Sequence, residues 1–279
     1  EYLKIPYEKI KIIPLGVDHD FFKPSTDKDS TRKQVLSELK IPYEKYFFHV
    51  SEMNFARKNQ IRLAEAYQMA RESGLKHNLI IAGKHLPQIK KKIGHLPGIF
   101  FLDWVTHEQL LQLYQGADAF VLPSIHEGFG IPLVESMCCG VPCISTNKHS
   151  PPHLIQDAGI LVNPRDVSEI SDSMVNIVKD PKLLKQLSEK SLKRSEFFSW
   201  KKYAKQVFEL YDIDYTKKMI DFDNQYELAA YRTLITVCDT FPDKDHPLLF
   251  SLLKLDYQKL LEWAADYGLH DSKTKDFLI

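Results

Sequence analysis

From about residue 10 to residue 211, short and almost continuously apolar runs alternate with stretches whose apolar side chains recur every three or four positions. The runs are KIKIIPL, YFFHVS, NLIIAG, GIFFLDWV, AFVLP, PCIST and AGILV. Strands that are apolar on both sides belong in a parallel sheet covered by helices above and below, because neither face is left to water. The periodic stretches between them, among them 59–73, 107–115 and 131–138, supply such helices. The pattern therefore predicts an α/β fold with a doubly wound, mostly parallel Rossmann-like sheet.

Helix boundaries support this alternation. Thr106, followed by Glu108 and Gln109, has the spacing of a reciprocal cap. Asp166 is placed to cap a helix running to Val178, Pro181 to occupy the first turn of the next, and Ser199 to cap a third ending near Tyr211. Beyond that point strand-like runs stop. Residues 217–236 and 247–267 read as amphipathic helices separated by the loop 239–246. The expected division is a sheet domain over 1–211 and a helical C-terminal extension over 212–279.

Most of the candidate chemistry lies between the fifth and sixth apolar runs. From Ser124 to Pro142 the chain reads SIHEGFGIPLVESMCCGVP. A connection leaving a parallel strand here emerges at the carboxyl edge of the sheet, where binding loops collect. Gly128 and Gly130 permit a tight turn and close approach of a ligand to the backbone. Pro132 suits the first turn of a following helix, and the unpaired amides of that turn make a small electropositive hollow fit for phosphate. Glu127 precedes the glycines and reaches the mouth of the cleft, whereas Glu135 lies about one turn into the helix. Carboxylates there suit paired sugar hydroxyls, since each supplies several acceptor sites. Two glycines alone would equally serve a plain connection, with Glu127 neutralising the helix start. The second acid, Pro132 and the Cys-Gly-Val-Pro turn favour a binding loop.

Composition narrows the partners. Lys plus Arg and Asp plus Glu both count 37, so no whole-molecule field attracts nucleic acid or an anionic membrane, and an anionic ligand needs a local site. The cluster Lys90, Lys91 and Lys92 is short and reads as a solvated helix face. Cys138, Cys139, Cys143 and Cys238 have no zinc-ribbon spacing and fit reduced, packed thiols. No apolar run is long enough to span a bilayer, the first residues lack the pattern of a signal peptide, and no GxxxxGK[ST] segment occurs.

Taken together, IIPLGVD, RKN, IIAG, YQGADAFVLPS, EGFGIPLVE, CCGVP, AGILVNP and FSW resemble the C-terminal, donor-binding domain of retaining glycosyltransferase family 4, a group of two-domain GT-B enzymes. The stretch EGFGIPLVE is similar to the family's pair of acids seven residues apart, and the likeness covers nearly three quarters of the chain. It implies that Glu127 faces the donor sugar and diphosphate and that Glu135 holds ribose hydroxyls. Gly128, Phe129, Gly130 and Ile131 would offer loop surface and amides. Lys58, in Arg57-Lys58-Asn59, matches the lysine that neutralises the diphosphate, with Arg57 assisting, so Lys58 and Glu127 form the expected catalytic pair.

Weaker assignments surround that pair. Asp103, Trp104 and Val105 would adjoin the nucleobase, unless Trp104 simply anchors its loop. Ser51 and Asn54 would line the phosphate loop or make turn hydrogen bonds, His126 would touch the sugar or serve structure, and 147–152 would border the cavity. Many family members carry Gly-Arg where this chain has Ser51-Glu52, a departure that leaves the phosphates to Lys58, Arg57 and the loop amides.

The implied reaction is retaining transfer of a hexose from a GDP- or UDP-hexose to a glycan, lipid-linked saccharide or other hydroxyl acceptor. No metal or other cofactor is required by this constellation, because cationic side chains and a helix terminus supply the field. An N-terminal acceptor domain, absent from the chain, would close the cleft from the same or a separate chain, and the fragment alone would be inactive. A sugar-nucleotide epimerase and a non-catalytic donor-binding or structural subunit are the alternatives. The expected location is the cytosol, beside a membrane where the acceptor is lipid-linked.

Overall fold

The structure is a computed structural model that describes residues 11–51, 55–84 and 87–210. Its sheet contains β1 (Tyr46–Val50), β2 (Asn78–Ala82), β3 (Ile99–Leu102), β4 (Ala119–Leu122), β5 (Cys143–Thr146) and β6 (Gly159–Val162). These lie in the order β3-β2-β1-β4-β5-β6, with every pair parallel. The chain winds outward from β1 to β3, returns to the middle at β4 and winds outward the other way. The strand order thus reverses between β1 and β4, and their carboxyl ends flank the crevice that such a reversal opens.

The helices are α1 (Lys28–Glu38), α2 (Phe55–Lys58), α3 (Gln60–Glu72), α4 (Pro87–Ile93), α5 (His107–Gly116), α6 (Ile131–Cys138), α7 (Pro151–Ile155), α8 (Val167–Lys179), α9 (Pro181–Ser195) and α10 (Trp200–Leu210). Adjacent strand residues point to opposite faces, which explains why the runs are apolar throughout. Phe48, Ile80, Phe120 and Leu122 pack with Val35, Leu113, Tyr114 and Met137 in one layer. Phe47, Leu79, Ile81, Val121 and Ile144 pack with Leu63, Tyr67, Ile170 and Met174 in the other.

Local boundaries follow the capping residues. Thr106 Oγ1 accepts from the Gln109 amide at 3.1 Å while Gln109 Oε1 accepts from the Thr106 amide at 3.0 Å. Asp166 Oδ1 accepts from the Glu169 amide at the start of α8, and Asp180 caps α9 with Pro181 in its first turn.

The expectation of a strand in KIKIIPL is corrected. Residues 11–16 of that neighbourhood form no strand, and Val17 makes only an isolated bridge to Ser199. Pro14 has no amide hydrogen to give a ladder, and Ile12 is 74% exposed, so the run meets neither the pairing nor the burial of a sheet strand. Residues up to 206 group into one compact unit; of the second, 207–279, the structure describes only the end of α10. The extension expected over 212–279, with its two helices, lies outside the described residues.

At the amino edge of the sheet, opposite the crevice, a buried ionic cluster joins α1 to the residues that precede β2 and β4. Asp118 Oδ1 lies 2.6 Å from Arg32 Nη2 and 3.4 Å from Lys28 Nζ, and Asp118 Oδ2 lies 3.0 Å from His77 Nε2. Arg32 Nε also donates to the Gly116 carbonyl at 2.8 Å.

Candidate functional site

Two connections meet at the crevice. β1 leads through Ser51 toward α2, and β4 leads through Pro123 and Ser124 into the glycine loop and α6. The Ile125 amide donates to the Arg57 carbonyl at 2.7 Å, tying the two connections together. Asn59 separates α2 from α3 in the left-handed region, with φ +59. Asparagine tolerates that conformation better than most side chains. Its Nδ2 donates to the carbonyls of Pro123 at 2.9 Å and Pro164 at 2.5 Å, which holds the end of α2 against the strand edge.

This framing delivers Lys58 to Glu127. Lys58 Nζ donates to Glu127 Oε1 at 2.7 Å, and Ser124 Oγ donates to the same oxygen at 2.7 Å. The two residues are 9% and 6% exposed, so their charges are paired where water is scarce. An ammonium carries three donors, of which the described residues use one, and Glu127 Oε2 accepts from no described residue. Among the described residues the pair therefore retains free polar capacity on both partners.

The glycine loop lies beside this pair. Gly130 has φ +104, a conformation that disfavours side chains, and an added Cβ would stand 3.0 Å from Leu133 Cδ1. Gly128 is under no such demand: a Cβ there would meet nothing within 4 Å, and the residue is exposed. Ser150 Oγ lies 3.0 Å from the Glu127 carbonyl and 2.7 Å from the Phe129 carbonyl, so the loop after β5 clasps the acceptor side of the glycine loop. No described residue accepts from the amides of Gly128, Phe129, Gly130 or Ile131, and Gly130 gives α6 no side-chain cap. Unengaged amides at a helix start form an anion-receptive surface. His126 borders it, with its ring 4.2 Å from that of His149.

Glu135 lies in α6 and is half-buried. Tyr114, from α5, donates its hydroxyl to Glu135 Oε2 at 2.8 Å. Burial pushes the Glu135 carboxyl up to about 7, against the smaller lowering effect of the Tyr114 hydrogen bond. A carboxyl raised in this way ionises later in the folded chain than in the unfolded one, so it removes stability as pH climbs from the ordinary 4.5 toward 7. Glu135→Gln is accordingly expected to be about 2 kcal/mol more stable than wild type at pH 8, with the gap closing below pH ~4. Urea unfolding at the two pH values checks both the sign and the window.

The other expected residues are more scattered. Arg57 is exposed and makes no ion pair with a described residue. Asp103, Trp104 and Val105 follow β3, the outermost strand, three positions from β4 and thus about 14 Å away at ordinary strand spacing. Asp103 pairs with Lys90 at 2.5 Å. Trp104 is 87% exposed and does not anchor its loop; Val105 packs against the core instead. Ser51 is buried, accepts from Gln60 Nε2 at 2.9 Å and lies 2.8 Å from His49 Nε2. Glu52 and Asn54 lie outside the described residues.

Burial pushes the Cys138 thiol up to about 11, Cys143 to about 12 and Cys139 well above its ordinary value, which suits packing rather than nucleophilic attack. Among the described residues no group of three or more His, Cys, Asp or Glu is placed to hold a metal ion, and no helix is long and apolar enough to cross a membrane. Sequence reading missed Ser124, Tyr114 and Asn59 as supports of the two acids and the lysine. Their types are common in any loop or helix, and only the fold brings each to its partner.

Comparison with known proteins places this geometry in context. Residues 31–194, more than half of the chain, match the family model described as Glycosyl transferases group 1. The O-antigen chain mannosyltransferase B of Escherichia coli is 31% identical over 186 residues, which is 64% of this chain and 49% of that protein. The D-inositol 3-phosphate glycosyltransferase of Corynebacterium jeikeium is 27% identical over 217 residues, 73% of this chain and 51% of that one. The chain spans about half the length of these curated relatives.

Two solved structures share the fold at lower identity. The C-terminal domain of a glycosyl transferase group 1 family protein from Francisella tularensis matches with TM-score 0.57 and 23% identity, covering 65% of this chain and 97% of that one. The Anabaena protein Alr3699/HepE, solved in complex with UDP and glucose, matches with TM-score 0.65 and 20% identity, covering 76% and 59%.

Proposed function

The chain belongs to the group 1 glycosyl transferases, and on that footing we propose that it is the C-terminal, donor-binding half of a two-domain GT-B enzyme. The enzyme transfers a hexose from a nucleoside diphosphate sugar to a hydroxyl of a glycan or lipid-linked saccharide, with retention at the anomeric carbon. The observation that carries this reading is the buried Lys58–Glu127 pair beside the unengaged amides of residues 128–131, at the point where the strand order reverses.

Each part has work to do. The diphosphate settles on the loop amides and the start of α6, and the two remaining Lys58 donors take up charge as the leaving group departs. Arg57, at the end of the same short helix, adds field from the exposed side. Glu127, fixed by Lys58 and Ser124, presents Oε2 to hydroxyls of the donor sugar. Glu135 takes the ribose. The acceptor and the opposite wall come from an N-terminal domain in the same or a separate chain, and efficient transfer needs both walls. The near-complete coverage of a solved C-terminal domain supports the choice of half. The exposed Trp104 and the ion-paired Asp103 stand at the carboxyl edge, where the nucleobase would extend.

The chain is expected to bind GDP- or UDP-hexoses saturably, and calorimetry with mannose and glucose donors of each base reads this directly; the mannosyltransferases among its relatives make mannose the first sugar to try. Transfer is measured with the complete gene product and a hydroxyl acceptor. Absence of saturable binding to every donor defeats the proposal, and donor conversion without an acceptor would point to an epimerase.

A further inference from the structure

Tyr114 stands one element away from the acid it touches. It lies near the end of α5, and its ring is fixed from several directions: edge-on to Phe48 at 5.1 Å and Phe22 at 5.9 Å, and tilted to Phe120 at 5.4 Å. The residue is fully buried. A buried phenol must give its proton to an acceptor, and among the described residues the acceptor is Glu135 Oε2 at 2.8 Å. Tyr46, equally buried, spends its hydroxyl on the Leu113 carbonyl, an ordinary backbone partner. Tyr114 instead spends its hydroxyl on a carboxylate of the candidate site, and no described residue donates to the other oxygen, Oε1.

We propose that Tyr114 is the positioning residue for ribose recognition: its hydroxyl, held by aromatic packing, occupies Oε2 of Glu135 and leaves Oε1 as the acceptor for a ribose hydroxyl. The proposal rests on the reading that Glu135 binds the ribose. A carboxylate anchored through one oxygen loses less freedom on binding than one that swings, so the preference for a ribonucleotide over its deoxy counterpart measures the anchoring. The titratable groups coupled to Glu135 are Tyr114, Cys138 and Cys139. Burial keeps all three protonated near neutral pH, so Tyr114 acts as a donor throughout the working range.

The test measures binding of GDP and UDP, each against its 2′-deoxy counterpart, to wild type, Tyr114→Phe and Glu135→Gln. Phenylalanine keeps the ring packing and removes only the hydroxyl, and melting temperature confirms that each variant is folded. Wild type is expected to prefer the ribonucleotide, and Tyr114→Phe to lose about tenfold of that preference. Because the Tyr114 hydrogen bond lowers the Glu135 pKa, its removal should also move the acidic limb of ribonucleotide binding to higher pH. A purely structural tyrosine would leave the preference for the ribonucleotide whole. If Glu135→Gln erases the preference while Tyr114→Phe keeps it whole, the proposal is overturned and the ribose reading stands. If wild type itself shows no preference, both fall together.

Discussion

Lys58→Met should lower stability by about 3–5 kcal/mol and weaken GDP or UDP binding on the order of 100-fold, with guanosine or uridine binding much less affected. The first effect arises because the substitution strands Glu127, 6% exposed, with the Ser124 hydroxyl as its one side-chain donor among the described residues. A carboxylate left in that position keeps its desolvation penalty without its counter-charge. The second arises because the ammonium is a buried cation at the glycine loop, and the two donors that no described residue takes up are what linked phosphates would engage. The double variant Lys58→Met/Glu127→Gln separates the two. It replaces the pair with a thioether and a neutral amide that Ser124 still serves, so stability should return toward wild type while diphosphate binding stays lost. Urea unfolding and calorimetry on the single and double variants make the comparison. Equal loss for nucleoside and nucleoside diphosphate would remove Lys58 from the phosphate site.

What the sequence made legible divides along the range of the interactions involved. β1 to β6 were readable because each is apolar on both faces, a property a strand carries within itself. The Thr106–Gln109 cap and the Asp166 cap were readable because donor and acceptor lie three residues apart. Both loop glycines were legible as turn residues ahead of a helix that carries Pro132 in its first turn, but which of the two takes the positive φ, Gly130, was not. By contrast, Lys58 and Glu127 are 69 residues apart, and Tyr114 and Glu135 are 21 apart. Spacing gave no hint of either contact. Resemblance placed both acids and the lysine in one site, and the reading of 147–152 as a border of the cavity included Ser150, but the supports Ser124, Tyr114 and Asn59 emerged only with the fold. The KIKIIPL run misled for the opposite reason. Its local apolar character is real, yet Pro14 denies it a ladder and Ile12 stays in water.

The same long-range logic operates at the far edge of the sheet, where Asp118→Ala should cost about 3–5 kcal/mol although it touches nothing in the crevice. Arg32 is 3% exposed and depends on Asp118 for its countercharge at 2.6 Å. Removing the carboxylate leaves that buried guanidinium with the Gly116 carbonyl, the Tyr46 ring and, as countercharge, only the half-exposed Asp29 carboxylate 4.0 Å away among the described residues, and it removes the tie of α1 to the residue that starts β4. Burial alone would raise the Asp118 pKa, but the His77 hydrogen bond and the charges of Lys28 and Arg32 outweigh it and hold the carboxyl well below the usual range. A depressed carboxyl contributes its full stability above the unfolded pKa of about 3.9 and loses it as pH falls toward the folded value. The stability gap between wild type and Asp118→Asn, measured by urea unfolding, should therefore be wide at pH 7 and should narrow progressively below pH ~4. A gap that stayed constant through that window would mean that the cluster contributes shape rather than charge.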